Sequence, residues 1–154
     1  MNLREINSSY LDRLYKLGKQ GFKNEFWFTR SFLRESIKRK GIYYGAFEGR
    51  KLIGAIFVDT GIDRPKVWIF FFYVLKEYRN QGVGHKLLAK AEKTLPRGYY
   101  KLFVDFEESD RLALDFYKKH GFKKAGKIKD WFGQWTYGLI YVKTIKSKPG
   151  QFFQ

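Results

Sequence analysis

The chain has 154 residues, enough for one domain with a sizeable core, and its 44% hydrophobic and 20% aromatic content excludes a disordered chain. It contains no cysteine, which excludes disulfides, Cys-ligated zinc and a thiol nucleophile. The net charge of +16, from 31 basic and 15 acidic residues, attracts anions generally: nucleic acid, an acidic protein or a phosphorylated cofactor.

No basic run interleaved with stacking aromatics stands out, so nucleic acid is not the expected partner. His85 and His120 lie far apart and lack metal-ligand spacing, so no metal is expected. Met1-Asn2-Leu3-Arg4-Glu5 lacks an apolar leader, which makes the cytoplasm the expected location, with no membrane partner.

Residues 1–6 read as a short strand. Asn7, Ser8 and Ser9 offer caps to a helix whose apolar face is Leu11, Leu14, Tyr15 and Leu17, with Gly18 and Gly21 as its breakers. Residues 24–29 form a loop. Thr29 caps a second helix from Arg30 to Lys40, closed by Gly41. Strands at Ile42–Phe47 and Leu52–Val58 are joined by the hairpin signal Glu48-Gly49-Arg50-Lys51. Asp59 to Pro65 leads into an uninterrupted apolar run, Val67 to Leu75, which reads as a strand buried on both faces. At nine residues it is far short of the roughly 20 that cross a bilayer.

Polar residues and two glycines follow, then Val83, Leu87, Leu88, Ala91 and Leu95 at helical spacing up to Pro96. Tyr99–Phe106 is a further strand, and this strand-helix-strand passage predicts a parallel crossover. Ser109 or Asp110 caps a helix through Lys119, ended by Gly121. Strands at Lys123–Asp130 and Thr136–Ile145 flank the aromatic loop Trp131-Phe132-Gly133-Gln134-Trp135, and residues 146–154 are a polar tail. The order predicts an α/β architecture: one mixed sheet of about seven strands, closing on a parallel β-helix-β-helix-β passage, with helices on both faces.

The glycine-bearing turn after the central strand has the chemistry of an anion site, because glycines let the backbone approach a ligand and a helix start offers free N–H groups. A dinucleotide fingerprint fails, since position 87 is Leu87 rather than a small residue. A P-loop fails on spacing around Gly84, His85 and Lys86. What fits is Arg79-x-x-Gly82-x-Gly84 directly after a buried strand.

That arrangement resembles the signature of the GNAT superfamily of acyl-CoA-dependent N-acetyltransferases. A second motif agrees: Asp110-Arg111-Leu112-Ala113-Leu114-Asp115-Phe116-Tyr117-Lys118-Lys119-His120-Gly121-Phe122 is similar to the family's N-x-x-A-x-x-x-Y-x-x-x-G-F, with Ala113, Tyr117, Gly121 and Phe122 in register. The resemblance covers residues 1–145 as a single acetyltransferase domain. It extends to the protein N-terminal branch, including the ribosomal-protein alanine acetyltransferases.

The resemblance implies acetyl-CoA as the cofactor, with its pyrophosphate held by Arg79, Asn80, Gln81, Gly82, Val83, Gly84 and His85. It implies that pantetheine runs along Phe72, Tyr73 and Val74, that the Val74 N–H stabilises the oxyanion, and that Tyr117 is the general acid. A phenol with a pKa near 10 suits a leaving thiol near 8.5. The resemblance also places Asp110 and Tyr117 among the cofactor-binding residues; where the family has asparagine, Asp110 caps a helix equally well, although a carboxylate cannot donate to the cofactor.

Asp105 is the base candidate, a carboxylate in an apolar strand whose burial would raise its pKa from about 3.9. Glu107, Glu108 and a water relay stay open as alternatives. Trp27, Trp131 and Phe132 resemble the aromatic segments that flank the acceptor in the protein N-terminal branch. The expected acceptor is therefore a peptide or protein amine, with a small amine metabolite or a non-catalytic acyl-CoA-binding protein as alternatives. A monomer or homodimer is expected.

Overall fold

The computed structural model of the protein describes residues 1–22 and 25–145. Seven strands form one sheet in the order β1-β2-β3-β4-β5-β7-β6. They are β1 (Asn2–Glu5), β2 (Gly41–Glu48), β3 (Lys51–Asp59), β4 (Lys66–Val74), β5 (Lys101–Glu107), β6 (Lys123–Lys129) and β7 (Tyr137–Thr144). The helices are α1 (Leu11–Phe22), α2 (Arg30–Ser36), α3 (Val83–Lys93) and α4 (Arg111–Lys119). The chain divides into two compact units: Met1–Gly61 with Phe71–Leu95, and Ile62–Phe70 with the segment from Pro96 onward. The expected tail at 146–154 lies outside the described residues.

In the first unit, β1, β2 and β3 are antiparallel neighbours, and β2 and β3 turn at Gly49 in the left-handed region (φ 58°). Alternate residues along a strand face opposite sides. Phe57 of β3 stacks on Phe71 of β4 at 4.8 Å, and Phe71 meets Phe22 and Phe28 at 6.0 and 6.2 Å, so this face lies under α1 and the loop after it. Gly54, of opposite parity, comes close to Leu87 of α3, which places α3 on the other face.

Helix α1 runs straight through Gly18 and Gly21, which were expected to end it. The reason is packing. A Cβ on Gly18 would clash with the Cζ end of the Phe28 ring, 2.8 Å from both Cε atoms, and one on Gly21 would lie 2.8 Å from Tyr73 Cδ2. These glycines give up helix propensity so that two aromatic rings can lie against the helix axis. Helix α2 starts as expected, with the Thr29 hydroxyl accepting from Phe32 N–H at 3.0 Å. It stops at Ser36 rather than Lys40, where the Tyr43 hydroxyl reaches the last turn and shares its one proton between the carbonyls of Ser36 (2.8 Å) and Arg39 (2.6 Å).

In the second unit, β4 and β5 are parallel, in register from Lys66 opposite Lys101 to Ile69 opposite Val104. The expected parallel close is only half present. Strand β6 does not join β5: β7 is inserted between them, antiparallel to both. Hydropathy explains the choice. Leu139 and Tyr141 of β7 are buried, whereas β6 (KKAGKIK) is exposed nearly throughout and suits an edge, where lysines discourage further strand pairing.

Candidate active site

The turn expected to bind phosphate belongs to the first unit. Strand β4 ends at Val74, a single 3-10 turn spans Lys76–Tyr78, and α3 starts at Val83 with Gly82 as its N-cap. Gly82 is left-handed (φ 81°), as is Asn80 (φ 60°), and these two reversals bring the backbone onto the helix axis. The first helical bond runs from Lys86 N–H to the Gly82 carbonyl at 3.0 Å. The N–H groups of Gly82, Val83 and Gly84 therefore precede the ladder. No side chain caps this helix, its first turn carries no acid, and a Cβ on Gly82 would meet nothing within 4 Å. An anionic diester fits such an end.

The turn is braced from within. Arg79 Nε donates to the Val74 carbonyl at 3.0 Å while its guanidinium lies over the Tyr73 ring at 5.3 Å. Gln81 Nε2 donates to the Glu77 carbonyl at 2.9 Å. Both side chains thus shape the turn from within. Val83 is buried, Gly84 is half-buried, and His85 is exposed.

Strand geometry also bears on Val74. Leu75 N–H donates to the Ile53 carbonyl of β3 at 2.9 Å. Successive N–H groups along a strand point to opposite sides, so those of Val74 and Phe72 point away from β3. Beside the turn lies an open groove of about 440 Å³, lined by Gln20, Gly21, Tyr73, Lys76, Glu77 and Arg79. Its one carboxylate, Glu77, pairs with Lys51 at 3.7 Å. Trp27, 39% exposed in the same unit, donates its indole N–H to Glu25 at 3.1 Å.

The second unit holds the remaining residues. Asp110 caps α4, its Oδ1 accepting from Ala113 N–H at 3.0 Å, and Gly121 ends the helix with φ 87°. Tyr117 is buried, lying on Phe106 with centroids 5.5 Å and planes 19° apart and meeting Phe122 edge-on at 5.1 Å. Burial pushes its phenol well above the ordinary range, and the negative charges of Asp110 and then Asp105 push the same way. The phenol is therefore fully protonated near neutrality, as a proton donor must be, and is a weaker acid than the ordinary value near 10 suggests.

Asp105 and Phe106 are consecutive on β5, so Asp105 faces away from Tyr117. Asp105 is half-buried rather than enclosed, and its Oδ2 accepts from Trp131 Nε1 at 2.7 Å. That bond had no sequence signal, because the two residues lie 26 positions apart on different elements. Trp131 rests on Gly138, where a Cβ would meet its Cβ and Cγ at 2.5 Å. Phe132, next to it in sequence, is 48% exposed. Among the described residues no cluster of three His, Asp or Glu could hold a metal ion, and no helix is long and apolar enough to cross a membrane.

The model of the acetyltransferase (GNAT) family matches residues 4–122. The chain belongs to that family. It is an N-acetyltransferase, and acetyl-CoA is its cosubstrate. The spermidine N(1)-acetyltransferase of Thermoplasma acidophilum is 22% identical over 144 residues, covering 80% of this chain and 88% of that protein. The crystal structure of the ribosomal-protein-S18-alanine N-acetyltransferase from Escherichia coli superposes with a TM-score of 0.80 at 16% identity, over 99% of each chain. An aminoglycoside 6'-N-acetyltransferase complexed with coenzyme A reaches a TM-score of 0.84 at 18% identity, over 97% of this chain and 99% of that one. These neighbours share the fold and differ in acceptor.

Proposed function

We propose that this acetyltransferase acts on a peptide or protein amine, with an N-terminal α-amine favoured over a lysine side chain. The observation that carries the cofactor half of this reading is the uncapped start of α3, where N–H groups from Gly82 onward precede the helical ladder behind a left-handed glycine. With Arg79 and Gln81 bracing the turn, the backbone from Asn80 to His85 is preorganised for a pyrophosphate. Bound there, acetyl-CoA supplies an activated acetyl group as a thioester: transfer makes a nitrogen–carbon bond and breaks the carbon–sulfur bond.

The chain's own groups divide the remaining work. Asp105 takes the proton that the amine must shed, through its Oδ1, since Oδ2 is engaged by Trp131. Val74 offers a backbone N–H to the developing oxyanion, and Arg79 holds the following peptide by the Val74 carbonyl. Tyr117 returns a proton to the departing thiolate sulfur. Phe72 and Tyr73 line the path of the pantetheine arm, and Asp110 keeps α4, and with it Tyr117, in register.

Two features support a peptide acceptor. An α-amine, with a pKa of about 7.7–8.0, needs a weaker base than a lysine near 10.4, which suits a half-buried carboxylate. Exposed rings, Trp27 in the first unit and Trp131 and Phe132 in the second, are apolar surface of the kind that suits an acceptor's first residues.

The test is thiol release from acetyl-CoA with a library of short peptides, a polyamine and an aminoglycoside as competing acceptors. The highest kcat/KM is expected for peptides with a free N-terminus. A polyamine or aminoglycoside surpassing every peptide would overturn the acceptor assignment while leaving the acetyltransferase intact.

A further inference from the structure

We infer that Trp131 is a positioning residue for Asp105, and that Gly138 is the seat that makes this possible; the inference rests on the reading of Asp105 as the base. Trp131 Nε1 donates to Asp105 Oδ2 at 2.7 Å, and among the described residues Asp105 makes no ion pair. Its cross-strand neighbour on β7 is Ile140, which offers no side-chain donor. The indole is thus the group that selects the carboxylate's rotamer. It occupies one oxygen and leaves Oδ1 for the amine proton.

The indole is itself held on two sides. Below it, Gly138 has no side chain, and any Cβ there would fall 2.5 Å from Trp131 Cβ and Cγ. Behind it, the loop closes on its own polar groups: Asp130 N–H donates to the Thr136 carbonyl at 2.7 Å. Trp135 N–H donates to Asp130 Oδ1 at 2.8 Å, and the Thr136 hydroxyl donates to the Gly133 carbonyl at 2.7 Å. Asp130 and Trp135 adopt left-handed backbone (φ 57° and 69°), which L side chains hold only when the surroundings enforce it. An exposed loop with this much internal bonding is built to fix something, and the side chain it fixes against a functional group is Trp131. A base restrained in this way meets the amine without first giving up rotamer freedom.

Trp131→Phe removes the donor and keeps a ring on Gly138; Trp131 is 45% exposed, so the fold tolerates the change. With a peptide acceptor, kcat is expected to fall about 10-fold with the acceptor KM unchanged, the scale of one lost hydrogen bond to a charged group. Gly138→Ala, which pushes the indole off its seat, should reproduce that split. As a readout independent of turnover, the Trp131 indole N–H resonance, identified by its loss in Trp131→Phe, should move in Asp105→Ala. An unchanged kcat in Trp131→Phe while Asp105→Ala is inactive would overturn the positioning role and leave the base in place. A raised acceptor KM at constant kcat would overturn the positioning role and leave Trp131 acting on the acceptor alone. Full turnover in Asp105→Ala would remove the base reading and this inference with it.

Discussion

The ring of Tyr117 lies on that of Phe106, while Asp105, one residue earlier on the same strand, faces the other way and accepts the indole N–H of Trp131. The two-residue repeat of a β-strand thus separates the acid candidate from the base candidate by the thickness of a sheet.

Tyr117→Phe keeps the stack on Phe106 and the edge contact with Phe122 and deletes only the phenol. Turnover should drop by about 10²-fold or more at neutral pH with the fold unchanged. The check is thiol release alongside a thermal melt. Because Tyr117 is raised by burial, it should also add no alkaline limb to the rate profile of the wild type below about pH 10.

Tyr43 carries a pH signature of stability. Burial, then Asp59, push its phenol up to about 12, against an unfolded value near 10. A raised folded pKa means that the contribution is complete below about pH 10 and is lost as the pH climbs through 12. Melting temperatures of wild type and Tyr43→Phe should differ most at pH 8, where the hydroxyl bonds to Ser36 and Arg39 are intact, and converge toward pH 12.

Gly18→Ala sets helix propensity against packing. Alanine gains up to about 1 kcal/mol in a helix interior. Phe28, at 1% exposure, has nowhere to retreat, and overpacking costs about 1–3 kcal/mol. Net destabilisation is expected in a denaturant titration.

Asp110→Ala should cost about 1 kcal/mol through the lost cap on Ala113, whereas Asp110→Asn should be nearly neutral in stability. Chemical denaturation of the two variants separates capping from any effect of the charge on coenzyme A affinity.

Much of this architecture was legible in the chain because its signals are local. The continuous apolar run marked β4 as a strand, although it is buried on one face, through Val67, Ile69 and Phe71, and only half-buried on the other rather than enclosed on both. Gly82 and Gly84 marked the turn, and Ala113, Tyr117, Gly121 and Phe122 placed α4. What escaped was set by partners distant in sequence. Gly18 and Gly21 read as breakers until Phe28 and Tyr73 are seen against them. The insertion of β7 beside β5 follows from the relative burial of two strands, which pattern alone does not rank. The Trp131–Asp105 bond depends on a missing side chain at Gly138, and a glycine in a strand announces no particular ring above it. Helix α2 was overread for a similar reason, since its carbonyls serve Tyr43.

The central claim is that backbone amides at the start of α3 receive the pyrophosphate of coenzyme A. Backbone amide resonances of residues 81–85, followed during titration with coenzyme A and in parallel with pantetheine, test it most directly. Large shifts across Gln81 to His85 with coenzyme A, nearly absent with pantetheine, are predicted. Saturating coenzyme A that leaves those amides unmoved while shifting resonances elsewhere would contradict it.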